Sequence, residues 1–339
     1  MGSYIAGGDC QGQESNVAIV VCRPWIAIPA HRVAIAPFWG IFVDMDTRSV
    51  QPFDLKTAWP PHQCATIQEY LQAAYGKLNQ TGHPHAFRGV TKRFSNLRPS
   101  FDRRDITDDD PVNIETQLLE EFLLRAWNDL IPQERHRCLL SEKRWGSKRN
   151  TAALVVARHR QVPTRCVDWS YCPLCALFFA CNDDSQTDGE VWWFNRCEFD
   201  RCVGDQWLAL FGKRGHVEAE IEEDFIAGRD TSWFTALDYM PLPGDRPYRQ
   251  KAWITVVGRL GTCHAEKIHR LGVRQMGRLG IPAELKLEAI RELEQLSITR
   301  ESLGSNHGDP ADKIAKQITK KFEKDYPLKN CATPCKEEA

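Results

Sequence analysis

An α+β fold is predicted for this chain, and three observations carry the prediction. Short β-prone runs recur at Val17 to Cys22, His31 to Val43, Val191 to Phe194 and Trp253 to Val257. Between them lie stretches with helical periodicity, such as Ile67, Tyr70, Leu71 and Ala74 on one face. Finally, Thr164 to Ser170 alternates polar and apolar residues as a half-buried strand does, and leads directly into an apolar helix.

The elements follow in order. Residues 1 to 15 are Gly-rich and polar, and the β-prone region from Asn16 to Phe53 is broken by prolines at 24, 29 and 37. It reads as two or three short strands, an N-terminal β-rich extension over 1–62 that ends near Trp59, Pro60 and Pro61. The spacing predicts a first helix over Thr66 to Leu78, opened by a Thr66/Glu69 capping box. Thr81 to Arg104 is extended and basic. A second helix, Asn113 to Leu130, carries Ile114, Leu118, Phe122 and Ala126 on one side and is stopped by Pro132. A third begins near Thr151 and ends before Pro163, and Pro173 suits the first turn of the helix that ends near Asn182. Residues 198 to 232 read as helical and acidic. Pro282 opens a helix to about Leu296. Asp309 and Pro310 open the last one, with Ile314, Ile318 and Phe322 in register and a frayed polar tail from Lys324 onward.

The chain has 339 residues, 42% of them hydrophobic and 26% charged, with eleven tryptophans and a formal net charge of -1. That balance excludes a general electrostatic pull toward nucleic acid or anionic membrane, though a local basic groove fits inside it. No apolar run reaches the roughly 18 residues of a membrane span, and Met1 to Glu14 lacks the pattern of a signal peptide. The thirteen cysteines lie scattered, mostly in apolar stretches, as reduced small hydrophobes of a cytoplasmic protein do.

Two segments carry chemistry. In Phe87–Arg88–Gly89, a glycine lets backbone approach a ligand while a guanidinium reaches for phosphate or carboxylate. Taken alone, the tripeptide reads as well as a surface arginine in a loop. In Thr164–Arg165–Cys166–Val167–Asp168–Trp169–Ser170, strand alternation puts Thr164, Cys166, Asp168 and Ser170 on one face. A carboxylate there needs a partner. Asp168 as a helix cap, or paired with Arg165, is the plainer alternative. Cys172–Pro–Leu–Cys175 has redox or zinc spacing but no second pair, and core packing accounts for it. His83, His85, His264 and His269 show no metal-ligand spacing, so no metal is expected. The basic run Lys143 to Arg149, with Trp145, and the acidic run Glu218 to Asp224 read as solvated faces.

These segments resemble the FRG domain, named for a Phe-Arg-Gly or Tyr-Arg-Gly tripeptide and carrying further on a stretch like Gln-His-Tyr-Gly-Leu-Pro-Thr-Arg-Leu-Leu-Asp-Trp-Thr, then Pro-Leu-x-Ala-Leu-Phe-Phe-Ala. This chain has Phe87–Arg88–Gly89, then Leu97, Pro99 and Ser100, then His159, Pro163–Thr164–Arg165, Asp168–Trp169–Ser170 and Pro173–Leu174–Cys175–Ala176–Leu177–Phe178–Phe179–Ala180. Arg246 and Gln250 resemble a later Arg-Ile-x-x-Gln, and Ile281–Pro282 the closing segment. The resemblance covers roughly 63–305, leaving a C-terminal helix and polar tail over 306–339. Arg158 stands where the family usually has Gln, Gln161 where it usually has Gly, Ser170 in place of Thr, and Ala252 in place of a Gly.

The motif order is in turn similar to that of ADP-ribosyltransferases, which bind NAD in a split sheet. This resemblance implies a split mixed or antiparallel sheet with surrounding helices. It also implies NAD as substrate, for ADP-ribosyl transfer or NAD glycohydrolysis. Arg88 would hold pyrophosphate, and Thr164 and Ser170 would orient the ribose. Trp169 would stack nicotinamide, while Phe87, Gly89, His159 and Arg165 would complete the binding site. The late-strand carboxylate of such enzymes is missing: Gln250 stands there, with Asp245 and Glu266 nearby, so Asp168 takes its place beside Arg88 and Gln250. The implied setting is a bacterial toxin or antiphage effector with a protein or nucleic-acid acceptor and an antitoxin or partner subunit. The alternatives are a non-catalytic nucleotide- or nucleic-acid-binding module, and a transferase using another nucleotide-linked sugar.

Overall fold

Seven strands and eleven α-helices are built from the described residues of a computed structural model, which are 53–81, 84–94, 96–106, 110–145, 151–183, 186–211, 234–237, 246–304 and 309–329. The strands expected at 17–22 and 31–43, and the acidic run 218–224, lie outside them. In chain order the helices are α1 (Leu55–Ala58), α2 (Ile67–Thr81), α3 (Pro111–Ala126), α4 (Pro132–Trp145), α5 (Thr151–His159), α6 (Pro173–Cys181), α7 (Arg196–Phe211), α8 (Arg246–Arg249), α9 (His264–Arg270), α10 (Lys286–Gln295) and α11 (Pro310–Asp325). The strands are β1 (Pro61–Gln63), β2 (His85–Val90), β3 (Cys166–Ser170), β4 (Gly189–Asn195), β5 (Phe234–Leu237), β6 (Ala252–Val257) and β7 (Met276–Ile281), in the sheet order β1-β7-β4-β2-β3-β6-β5. The class is α+β. The sheet is mixed, antiparallel throughout except for the edge pairing of β1 with β7.

The ladder is uneven, and that positions the site. β2 pairs with β4 from His85↔Asn195 to Val90↔Glu190, and β3 pairs with β6 from Cys166↔Val256 to Ser170↔Ala252. Between β2 and β3 the pairing is reduced to Phe87↔Ser170. Two ladders therefore meet at one residue pair and fork from it. The backbone groups of β2 and β3 beyond the fork must find other partners, because an unpaired polar group out of water is costly.

Packing divides along the same line. Helices α2, α6 and α10 bury Tyr70, Leu177, Ala180 and Leu293 against Phe87, Val191 and Leu279 of the first ladder. Helices α3, α5 and α11 bury Phe122, Val156, Ile318 and Phe322 against Cys166, Ile254 and Val256 of the second. An aromatic cluster of Trp59, Trp169, Trp192, Phe194, Phe199, Phe234 and Trp253 runs across both ladders. Each such side chain, fully buried, contributes on the order of 1.5–3 kcal/mol, so this cluster ties the fork's two arms together.

Local signals set most helix starts. Thr66 caps α2 by accepting from the Glu69 N–H (3.1 Å), while Glu69 accepts from the Ala65 N–H (2.6 Å), one residue before the expected partner. Asp110 caps α3 ahead of Pro111, and Asp309 caps α11 ahead of Pro310. Four sequence expectations are corrected. Pro132 does not merely stop a helix: α3 ends at Ala126, and Pro132 opens α4, which takes in the first part of the basic run 143–149. The region around Pro60 and Pro61 is not a bare break, since Pro61 to Gln63 pairs with Arg278 to Gly280 and Trp59 is fully buried. The tail does not fray at Lys324, because Arg104 and Leu328 form a bridge and Asp105 N–H donates to the Pro327 carbonyl (2.9 Å). Strands β5 and β7 and helix α9 were not expected at all. No helix among the described residues is long and apolar enough to cross a membrane.

Candidate functional site

The fork between β2 and β3 opens into a cavity of about 310 Å³. Its walls come from β2 and the residues after it, the end of α5, Asp168 to Ser170, Ala176 and Phe179 of α6, and Arg246, Gln250 and Ala252. Arg88, Arg103, Arg158 and Arg246 line it, facing one carboxylate among the lining residues, Asp168.

Arg88 is placed by strand register one residue past the fork point, Phe87↔Ser170. Its Nη1 donates to the Asp168 carbonyl (2.7 Å), satisfying backbone the forked ladder leaves open, and lies 3.9 Å from Asp168 Oδ2. Burial, followed by the neighbouring charge of Arg158, pushes the Arg88 guanidinium down to about 9 from its ordinary value. A guanidinium stays charged in proteins, so a buried positive charge beside a second guanidinium favours an anion at this site. Arg158, on the last turn of α5, is the closest partner of Asp168: Nε and Nη2 both lie 2.6 Å from Oδ2, and Nη1 donates to Ser100 Oγ (3.1 Å). His159 Nδ1 lies 3.9 Å from Oδ1. Burial alone would raise the Asp168 carboxyl, but Arg158, His159 and Arg88 outweigh it and hold it below the ordinary carboxylate range. Asp168 Oδ1 and Arg88 Nε are both buried with no hydrogen-bond partner among protein atoms. Each has capacity that a ligand can fill.

Arg246 and Gln250 reach the same cavity because they are one turn apart, the Gln250 N–H donating to the Arg246 carbonyl (3.0 Å). Asp312 of α11 stands 3.8 Å from Arg246. Gln250 donates from Nε2 to the Leu303 carbonyl (3.0 Å). Arg103 stacks its guanidinium over Phe94, 5.2 Å from the ring centroid. Phe94 and Phe179, both half-buried, give the cavity aromatic surface.

Of the residues expected to act, Phe87, Arg88, Gly89, His159, Asp168, Trp169, Ser170 and Gln250 come together around the cavity, and Thr164 and Arg165 do not line it. Thr164 is fully buried, its hydroxyl 3.4 Å from the Cys166 N–H. Arg165 pairs with Glu115 rather than with Asp168, at 2.5 Å, both side chains being almost wholly buried. Trp169 lines the cavity, yet its indole is only 2% exposed. The ring lies edge-on to Phe194 and donates from Nε1 to Thr255 Oγ1 (2.8 Å), so it supports the core instead of offering a free face. Thr255 in turn meets His264 Nδ1 (2.8 Å), and His264 Nε2 lies 3.2 Å from the Arg165 carbonyl. Burial holds that imidazole down at about 3, so it is neutral and structural. Ser170 Oγ donates to the Gln250 carbonyl (2.7 Å) and accepts from the Cys172 N–H (2.9 Å), which fixes β3 to β6 and to α6.

Gly89 lines the cavity and also has a packing role. A Cβ there would stand 1.8 Å from the Ala176 carbonyl oxygen and 2.7 Å from the Ala180 nitrogen, so the glycine lets α6 lie on β2. The tripeptide thus combines a core ring, a cavity guanidinium and a helix contact. Sequence reasoning missed Arg103, Arg158, Phe94 and Phe179 as lining residues. Arg158 was visible only as a departure from the family's usual Gln.

No curated protein and no solved structure matches the chain. The family model of the FRG domain matches residues 83–189, from the strand bearing Arg88 through Asp168 and α6 to the start of β4. Residues 83–189 are thus similar to the FRG domain, and the forked-sheet cavity lies largely within them.

Proposed function

We propose that the cavity binds a nucleotide through its diphosphate and that the chain uses NAD as substrate, for ADP-ribosyl transfer or NAD glycohydrolysis. The observation that carries this reading is the set of four guanidiniums around the fork, facing a single carboxylate. Planar guanidiniums match phosphate oxygens bidentately, and the half-buried rings of Phe94 and Phe179 suit a flat base. A sheet that divides beside an arginine strand is the geometry the resemblance to ADP-ribosyltransferases implies. In this reading Arg88, with Arg103, Arg158 and Arg246, holds the diphosphate. Asp168 faces the positive charge that develops at the donor sugar. Gln250, anchored to Leu303, takes the place of the late carboxylate as a positioning residue. The acceptor is a macromolecule, protein or nucleic acid. The cytoplasmic effector setting, with an antitoxin or partner subunit, rests on the family resemblance.

A second reading has its own observation. Asp168 is already bridged by Arg158, where the family usually has Gln, and a neutralised carboxylate is a weak stabiliser of a cation. That favours a module that binds a nucleotide without turning it over. Incubation with NAD separates the two: release of nicotinamide supports the enzyme, whereas saturable binding with NAD recovered intact supports the module. A mass-spectrometric screen of nucleotide-linked sugars covers the remaining case, in which NAD neither binds nor reacts and another donor is consumed.

A further inference from the structure

The Cys172–Pro–Leu–Cys175 segment packs on the core as the sequence suggests, Cys175 within it and Cys172 against it, and the helix start gives the pair a defined geometry. Cys172 is the extended cap residue of α6 (φ −104, ψ 112), Pro173 opens the helix, and Cys175 lies on its first turn. Residues three apart on a helix are neighbours at about 5–6 Å. The first turn of α6 therefore sets the two side chains beside each other, close enough for each thiol to act on the other's titration. Their surroundings differ. Cys172 is half-buried, whereas Cys175 is 4% exposed. Lys251 is held beside the pair, its carbonyl accepting from the Tyr171 N–H (3.0 Å), and its charge favours a thiolate at Cys172. The Cys172 N–H is fixed to Ser170 Oγ and its carbonyl accepts from the Ala176 N–H (3.2 Å), so the backbone of the turn is rigid.

We propose that Cys172 and Cys175 form an oxidisable dithiol, Cys172 attacking and Cys175 resolving, whose co-reactant is a small-molecule disulfide. A half-open thiol at a helix start and a buried second thiol three residues on are the arrangement that thiol–disulfide exchange uses. The half-buried position of Cys172 against the buried one of Cys175 assigns the order of attack, and the neighbouring Cys175 draws the Cys172 thiol down to about 6 while its own is raised. The Cys172 thiolate attacks one sulfur of the small disulfide, forms a mixed disulfide and expels one small thiolate. The Cys175 thiol then gives up its proton and attacks the Cys172 sulfur, forming the internal disulfide and expelling the second thiolate. Two protein thiols are oxidised, one small disulfide is reduced to two thiols, and the two protons pass to them. The inference is independent of what the cavity binds.

The test uses the full chain, reduced and then equilibrated in mixtures of reduced and oxidised glutathione, acid-quenched, alkylated and mapped by mass spectrometry. A peptide link between Cys172 and Cys175, reversed by dithiothreitol, is expected in the folded protein. With Cys175→Ser, one glutathione should accumulate on Cys172, and with Cys172→Ser, Cys175 should stay alkylatable. Folding of both variants is read from tryptophan fluorescence, and the wild-type arm does not depend on them. The exposed Cys197 serves as the control thiol. If Cys197 is glutathionylated while Cys172 and Cys175 remain unlinked, or if their link forms only in denaturant, the proposal is overturned.

Discussion

Two arginine–carboxylate pairs hang from one short segment of chain, and they are built differently. Arg165 and Glu115 are 1% and 2% exposed, and nearly every polar atom is matched. Glu115 accepts from the Arg165 N–H (2.7 Å) and from Nε (2.5 Å), while Nη1 donates to the Gly258 carbonyl (2.8 Å). Three residues on, Asp168 is 29% exposed, shares one oxygen with Arg158, and leaves the other unmatched by protein. The first pair is complete without a ligand; the second is not. Charge in a strand therefore does not distinguish structure from function here, whereas completeness of hydrogen bonding does.

The largest expected effect breaks the comparison from its structural side. Glu115→Ala leaves Arg165 buried without its counter-charge, which costs about 3–5 kcal/mol. In a domain of this size the melting temperature should fall by on the order of 10 °C. Calorimetry showing an unchanged transition would mean that the dry pair is not what holds β3 to α3.

Arg88→Ala addresses the cavity side. It removes a guanidinium whose Nε has no protein partner. Loss of its phosphate contact should lower turnover, or nucleotide affinity in a non-catalytic module, by about 2–4 kcal/mol, while loss of its bond to the Asp168 carbonyl should lower the melting temperature by only a few degrees, on the order of 1–3 kcal/mol. A folded variant with full activity and full nucleotide affinity would remove Arg88 from the site.

Asp168→Asn sharpens the contrast between the pairs. If Asp168 faces a developing cation, turnover should drop roughly 100-fold with little change in donor affinity. Stability adds a pH signature. The carboxyl is held below its ordinary value in the folded state, so its stabilising contribution is present above the unfolded aspartate value of about 3.9 and is lost as pH falls through the lower folded value. The gap in melting temperature between wild type and variant should be constant from neutral pH down to about 4, narrow between the unfolded and folded values, and be closed below the folded value. A gap that widens on acidification would contradict the assignment.

The same contrast explains what the sequence made legible. Arg88 and Asp168 were found because a tripeptide and an alternating strand mark them. Thr164 falls in with them because period-two alternation cannot say whether the facing space is protein or cavity, and Arg165 enters only through the family resemblance. Strand β7 was missed because packing asks it for glycines. A Cβ at Gly277 would meet the Trp193 ring at 3.0 Å, and one at Gly280 would meet Gln63 Oε1 at 2.5 Å, so its residues carry little strand propensity. Pro132 reads as a stop from sequence because a proline fits the end of one helix and the first turn of the next equally well. The helices over 66–78, 151–163 and 310–325 were legible through caps and periodicity, which are local.

The smallest expected effect concerns backbone strain on the cavity wall. Gln161 lies at φ +70, in the left-handed region, where the family usually has Gly. It stands two residues past the end of α5, its N–H donating to the Arg158 carbonyl (2.9 Å), so its conformation closes the last turn that carries Arg158 and His159. A side chain in this region costs about 1–2 kcal/mol relative to glycine, and glycine's greater freedom in the unfolded chain offsets part of the gain. Gln161→Gly should therefore stabilise the fold by about 0.5–1 kcal/mol, a rise of roughly 2 °C in melting temperature. Because the Arg158–Asp168 bridge is made by side chains upstream of the turn, nucleotide affinity should hold to within about twofold. A rise in stability with intact binding would show that the strain at Gln161 is not used by the site. A rise in stability bought with lost binding would show that the strained turn is what aims Arg158 at Asp168, and would move Gln161 from the wall of the cavity into its working parts.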